Sequence, residues 1–132
     1  MTQTRREIRV ADLNEPLSHY TDAVVFGQLV FVSGCAPLDE HGRLVSEGDV
    51  AGQTRHVLSA IEKILEQAGS GLQHVLKVTV YLTNISDRPL INPVRQEFFG
   101  SARPASTLVE VSALALQGMR VEIDAVAAIP GA

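Results

Sequence analysis

Val75-Leu76-Lys77-Val78-Thr79-Val80-Tyr81-Leu82 is the stretch on which the fold turns. Leu76, Val78, Val80 and Leu82 alternate with Lys77, Thr79 and Tyr81, in a run rich in β-branched residues. That pattern predicts a strand with one fully apolar face. Upstream, from about Asp49 to Ala68, the apolar residues Val50, Val57, Leu58, Ile61, Ile64 and Leu65 recur at helical spacing, and Gly69 is placed to stop the helix. Downstream, Asp87-Arg88-Pro89 reads as a helix start, because proline suits a first turn. This second helix would carry Leu90, Val94 and Phe98 and end at Gly100.

The other strands lie outward from that centre. An opening strand is followed by Ala23-Val24-Val25-Phe26 and Leu29-Val30-Phe31-Val32-Ser33, which flank Gly27-Gln28 and read as a hairpin. Gly34 to Gly42 is loop chemistry. Two more strands close the chain, Ser106 to Val111 and Met119 to about Ala128. The order ββ-α-β-α-ββ sets two helices against one sheet, an α+β plan. Two helices can cover only one face. The other face would hold Lys77, Thr79 and Tyr81 beside Glu122, Asp124 and Val126. That row is too apolar for a plainly wet surface and too polar for a core, so the chain is expected to self-associate through it, a wet sheet face being the alternative.

A length of 132 residues predicts a single domain, residues 1–132, with a sizeable core of its own. The hydrophobic share of 45% beside 20% charged residues is that of a globular chain rather than a disordered one. No apolar run approaches the ~20 residues of a membrane span, and Met1–Val10 is polar rather than signal-like, so a cytoplasmic protein without a membrane partner is expected. A net charge of −4, no tryptophan and 5% aromatics argue against a nucleic-acid partner.

Candidate chemistry is sparse. His19, His41, His56 and His74 sit in four separate segments without ligand spacing, and the single Cys35 excludes a cysteine zinc site, so no metal is expected. Cys35 follows Ser33-Gly34 at a strand end. It would be a nucleophile only if something lowered its pKa, and lining a cleft is the expected role. The closing strands carry more. Alternation puts Glu122 and Asp124 on one face and Val121, Ile123 and Ala125 on the other. Two carboxylates in an apolar strand are costly unless paired or used. Either they ion-pair with Lys77 or Arg120, or one serves to orient water and shuttle protons.

Arg103-Pro104-Ala105-Ser106-Thr107-Leu108-Val109-Glu110-Val111, followed by Val121-Glu122-Ile123-Asp124-Ala125-Val126-Ala127, resembles the C-terminal signature of the RidA/YjgF/UK114 family. Ser18-His19-Tyr20, Val30-Phe31-Val32-Ser33-Gly34, Lys77–Leu82 and Glu97-Phe98-Phe99 extend the likeness along nearly the whole chain. The resemblance implies a chorismate-mutase-like α+β fold with one mixed sheet, and a homotrimer with clefts between subunits. It also implies hydrolysis of small enamines and imines to oxo acids and ammonia, with no cofactor. In the family an arginine after the Pro-Ala pair grips the substrate carboxylate as a bidentate fork, and a last-strand glutamate positions water.

Two positions depart from that pattern. Ser106 stands where the arginine would be, and Asp124 where the glutamate would be. The resemblance therefore implies Asp124 and Ser106 as catalytic residues, with Tyr20, Ser33 and Gly34 around the substrate; Cys35, Arg103, Leu108 and Glu122 are further candidates to line the cleft, Arg103 being alternatively a surface or interface arginine. A serine can donate a hydrogen bond but supplies no positive charge. The expected function is deamination of a small imine or enamine by a cleft lacking the usual cation. The alternatives are a trimer that binds a small metabolite without turning it over and, further off, an endoribonuclease or translation inhibitor.

Overall fold

The computed structural model describes residues 4–131. In chain order the elements are β1 (Arg5–Ile8), β2 (Ala23–Phe26), β3 (Leu29–Cys35), α1 (Val50–Gln67), β4 (Val75–Leu82), α2 (Arg88–Phe99), β5 (Ala105–Glu110) and β6 (Val121–Ala128). The strands form one sheet in the order β1-β2-β3-β6-β4-β5. Every pairing is antiparallel except β4 with β5, which α2 joins as a crossover. The sheet is thus mixed, and the expected α+β class holds. The hairpin is β2–β3, with Gly27 in the left-handed region at its turn (φ 63°).

Asp49 caps α1 by accepting a hydrogen bond from the Gly52 amide at 3.0 Å, and Gly69 lies in the left-handed region just past the helix end (φ 88°). The helix buries Val57, Leu58, Ile61, Ile64 and Leu65 against β3, β6 and α2. From the sheet the core receives Val25, Val30, Val32, Val78, Val80, Leu82, Ile123 and Ala125, alternate residues of four strands. The intervening residues face away from both helices: Phe26, Leu29 and Phe31 are exposed there, beside half-buried Val126, Thr79 and Tyr81.

Three details differ from the sequence reading. Leu76 is 49% exposed and Val75 is buried instead, because β4 slips register against β6 between Val75 and Lys77 and the bulge turns both side chains over. In α2 the buried stripe is Ile91, Val94 and Phe99, with Phe98 partly covered and Leu90 out in solvent, about one position round from the expected face. Met119 is buried in the turn before β6 rather than paired in the strand.

Gln53 and Arg120 tie the loop before β6 to α1. The buried Gln53 amide donates to the Gly118 carbonyl at 3.0 Å and accepts from the Arg120 backbone N–H at 2.8 Å. Arg120 in turn grips buried Asp87, ahead of α2, with two hydrogen bonds of 2.7 and 3.1 Å. No helix among the described residues is long and apolar enough to cross a membrane.

Candidate functional site

The first groove forms where β3 leaves its ladder. Val32 faces Ala125 and Cys35 faces Ile123, so β3 carries one extra residue, a bulge at Ser33-Gly34. The Ser33 amide bonds the Asp22 carbonyl at 2.9 Å and its hydroxyl donates to the Thr21 carbonyl, which pins the bulge to the preceding loop. Asp22 is held in turn by Arg9, at 2.8 Å, and by the Val10 amide. Tyr20, Ser33, Gly34, Ala36 and Glu122 line an open groove of about 300 Å³. The Tyr20 hydroxyl accepts from the Leu17 amide at 3.1 Å, which fixes the ring at the groove wall. The Gly34 backbone lies so close to the Glu122 carboxyl group that a Cβ there would make that carboxyl shift.

That close approach governs the electrostatics. Burial, then the neighbouring Asp124 charge, pushes the Glu122 carboxyl above its ordinary range. The Tyr81 hydroxyl donates to Asp124 Oδ2 at 3.1 Å, and burial followed by Asp124 raises the tyrosine pKa, so this donor keeps its proton. Neither carboxylate is ion-paired among the described residues. Arg120 goes to Asp87, and Lys77 donates to the Thr107 hydroxyl, so the ion-pair alternative is set aside. The Cys35 thiol lies behind the groove, packed on the core. Burial first, then Asp22, Glu122 and Asp124, drives its pKa far up, so it stays a protonated thiol and not a nucleophile.

A second groove, of about 340 Å³, runs between α2 and β5 and is lined by Asn92, Arg95, Phe99, Arg103 and Ser106 among others. Ser106 pairs in register with Val78 and so points toward the helices, opposite to the row that holds Asp124. Within one chain, then, Tyr20, Ser33, Gly34, Cys35 and Glu122 come together, while Ser106 and Arg103 gather at the other end of the sheet. Asp124 lies one step along β6 from Glu122, and Leu108 is half-buried against the core. Sequence reasoning missed Arg95, whose Nη2 donates to Ser106 Oγ at 2.8 Å. Nothing in Val94-Arg95-Gln96-Glu97 distinguishes it from an ordinary surface arginine. Among the described residues no group of three or more His, Cys, Asp and Glu is placed to hold a metal ion.

Residues 12–129 match the family model described as Endoribonuclease L-PSP. The chain is 41% identical to the 3-aminoacrylate deaminase RutC of Acinetobacter baylyi over 112 residues, 85% of this chain and 88% of that one. It is 36% identical to the 2-iminobutanoate/2-iminopropanoate deaminase of Homo sapiens over 124 residues, 93% and 89% of the two chains. Among solved structures, a putative endoribonuclease from Thermotoga maritima superposes with a TM-score of 0.88 at 36% identity, covering 96% of this chain and 98% of that one.

Proposed function

The chain belongs to the endoribonuclease L-PSP family, that of the RidA, RutC and UK114 proteins, and from that premise we propose that it is a hydrolytic deaminase of small enamino or imino acids. Both deaminases above are named for substrates of this kind, each a carboxylate anion bearing an enamine or imine nitrogen. One observation in this chain supports the reading most. Glu122 is half-buried against Gly34, without a cationic partner and with a raised pKa, in a groove open to a small molecule. A carboxyl group whose proton is held more tightly than usual is suited to give that proton up to a substrate and take one back.

The reaction asks for little else. An enamine takes a proton on carbon to become the iminium. Water adds to the imine carbon, forming the C–O bond, and a proton passes to nitrogen. The C–N bond then breaks, releasing ammonia and leaving the oxo acid. In this reading Glu122 carries the proton and Asp124, held by Tyr81, orients water. The Gly34 amide and Ser106 hydroxyl hydrogen-bond the substrate, while Tyr20 and Cys35 shape the wall. The site is completed by self-association as a homotrimer, in which the Arg95–Ser106 groove of one copy meets the Glu122 groove of the next. The uncovered sheet face with Phe26, Leu29 and Phe31 supports this assembly.

The test is to generate imines from amino acids with an amino-acid oxidase and follow their loss with and without the purified protein. Acceleration is expected, falling about 100-fold or more in Glu122→Gln, the scale of a lost general acid. No acceleration, with a stabilising metabolite recovered unchanged after long incubation, would establish a binding protein instead. RNA cleavage abolished by Asp124→Ala would move the function to nucleic acid, against the net charge of −4.

A further inference from the structure

We propose that Arg95 is the cation that grips the substrate carboxylate in this chain, supplying from α2 the positive charge that Ser106 does not supply from β5. The proposal rests on the reading of the site as one for enamino or imino acids, and it concerns residues that the family pattern does not mark. The Arg95 guanidinium is half-buried and touches the Ser106 hydroxyl at 2.8 Å, so a positive charge sits beside the very position that carries the family's arginine. It opens onto a groove of about 340 Å³ that also holds Asn92 and Arg103.

Its surroundings lack an anion. Among the described residues no carboxylate lies within ion-pairing distance of Arg95, whereas Arg55 is neutralised by Glu97 at 3.0 Å. Burial alone lowers the Arg95 pKa, with no acidic neighbour to offset it. A half-buried cation without a charged partner has lost part of its hydration, and an incoming carboxylate offsets that loss. The geometry suits one. A guanidinium presents five donors, and the bond to Ser106 leaves others for both oxygens of a carboxylate. Ser106 then acts as a positioning residue, steadying the fork that the substrate meets. Arg103 adds charge from an exposed position and holds the anion less firmly.

Calorimetric titration with 2-oxobutanoate, a stable carboxylate of the product class, tests this without requiring turnover. The amide 2-oxobutanamide is the uncharged control. Wild-type protein should prefer the acid, and Arg95→Gln should weaken acid binding about 100-fold while leaving the amide unaffected. Arg103→Gln should cost less than about tenfold, the scale of an exposed charge. In the double variant Arg95→Gln/Ser106→Arg, returning the cation to β5 should recover most of the affinity. If Arg95→Gln fails to fold, Arg95→Lys carries the test, since it keeps the charge but loses the paired donors and should bind about tenfold more weakly. Wild-type affinity in Arg95→Gln or in Arg95→Lys, no preference for acid over amide, or no binding at all overturns the proposal. Arg95-dependent binding by a protein that hydrolyses no imine would sink the deaminase reading and leave the anion site standing.

Discussion

Glu122 shows how a bulge in one strand shapes the surroundings of a carboxyl group on the next. The β3 bulge brings the Gly34 backbone under the carboxyl group, and Asp124 on the same strand face adds like charge. Both effects disfavour ionisation, and the consequence can be read in stability. A carboxyl whose folded pKa is raised binds protons more tightly folded than unfolded. Its contribution is therefore fully present below its unfolded pKa, near 4.5, and is lost as pH rises through the folded value. Glu122→Gln removes that loss. The variant should melt higher than wild type at pH 7 to 8, and the difference should close as pH falls below about 4.5 in a pH series of thermal denaturation curves. A constant difference across the series would contradict the raised pKa. Alternation along the last strand was enough to place Glu122 and Asp124 on one face. Which of the two loses its water was not legible, because that depends on a bulge in another strand.

At the scale of elements, the crossover that positions α2 over β5 hangs on a buried ion pair. Asp87 is 3% exposed and ends the turn before α2, and its two hydrogen bonds come from Arg120 at the mouth of β6. Removing one partner of such a pair leaves a buried charge unanswered, which costs about 3–5 kcal/mol. Arg120→Ala should therefore shift the urea midpoint strongly downward, and Asp87→Asn in the same chain should recover part of the loss. Equal midpoints for Arg120→Ala and wild type would remove the pair from the account of how α2 is held. The sequence reading found both helices and every strand after the first hairpin within a few residues, since apolar spacing and glycine stops are local signals. It missed the β4 bulge and the rotation of α2. Both arise when an element adjusts to its neighbours: Val75 turns inward to follow β6, and Leu90 yields to Ile91.

For the whole molecule, the sheet face opposite the helices is the feature to explain. Phe26, Leu29, Phe31 and Val109 are each 39% exposed or more, around a row that holds Glu122 and Asp124. A homotrimer through this face would cover the aromatic residues and bring the two grooves together. Light scattering should give three chain masses for the wild type. Phe31→Asp, which puts charge on that face without touching the core, should shift the protein toward a folded monomer with little deaminase activity. A trimer that tolerates the substitution would place the interface elsewhere. The amino-acid order alone was enough for the α+β plan, the half-polar sheet face, the two carboxylates and the absence of arginine after Pro104-Ala105, since backbone periodicity and residue identity are local properties. Only the packed chain revealed the Gly34–Glu122 contact, the desolvation of Cys35 and the guanidinium of Arg95 resting on Ser106. Those contacts join segments whose distance is set by how helix and sheet stack, and no spacing along the chain encodes it.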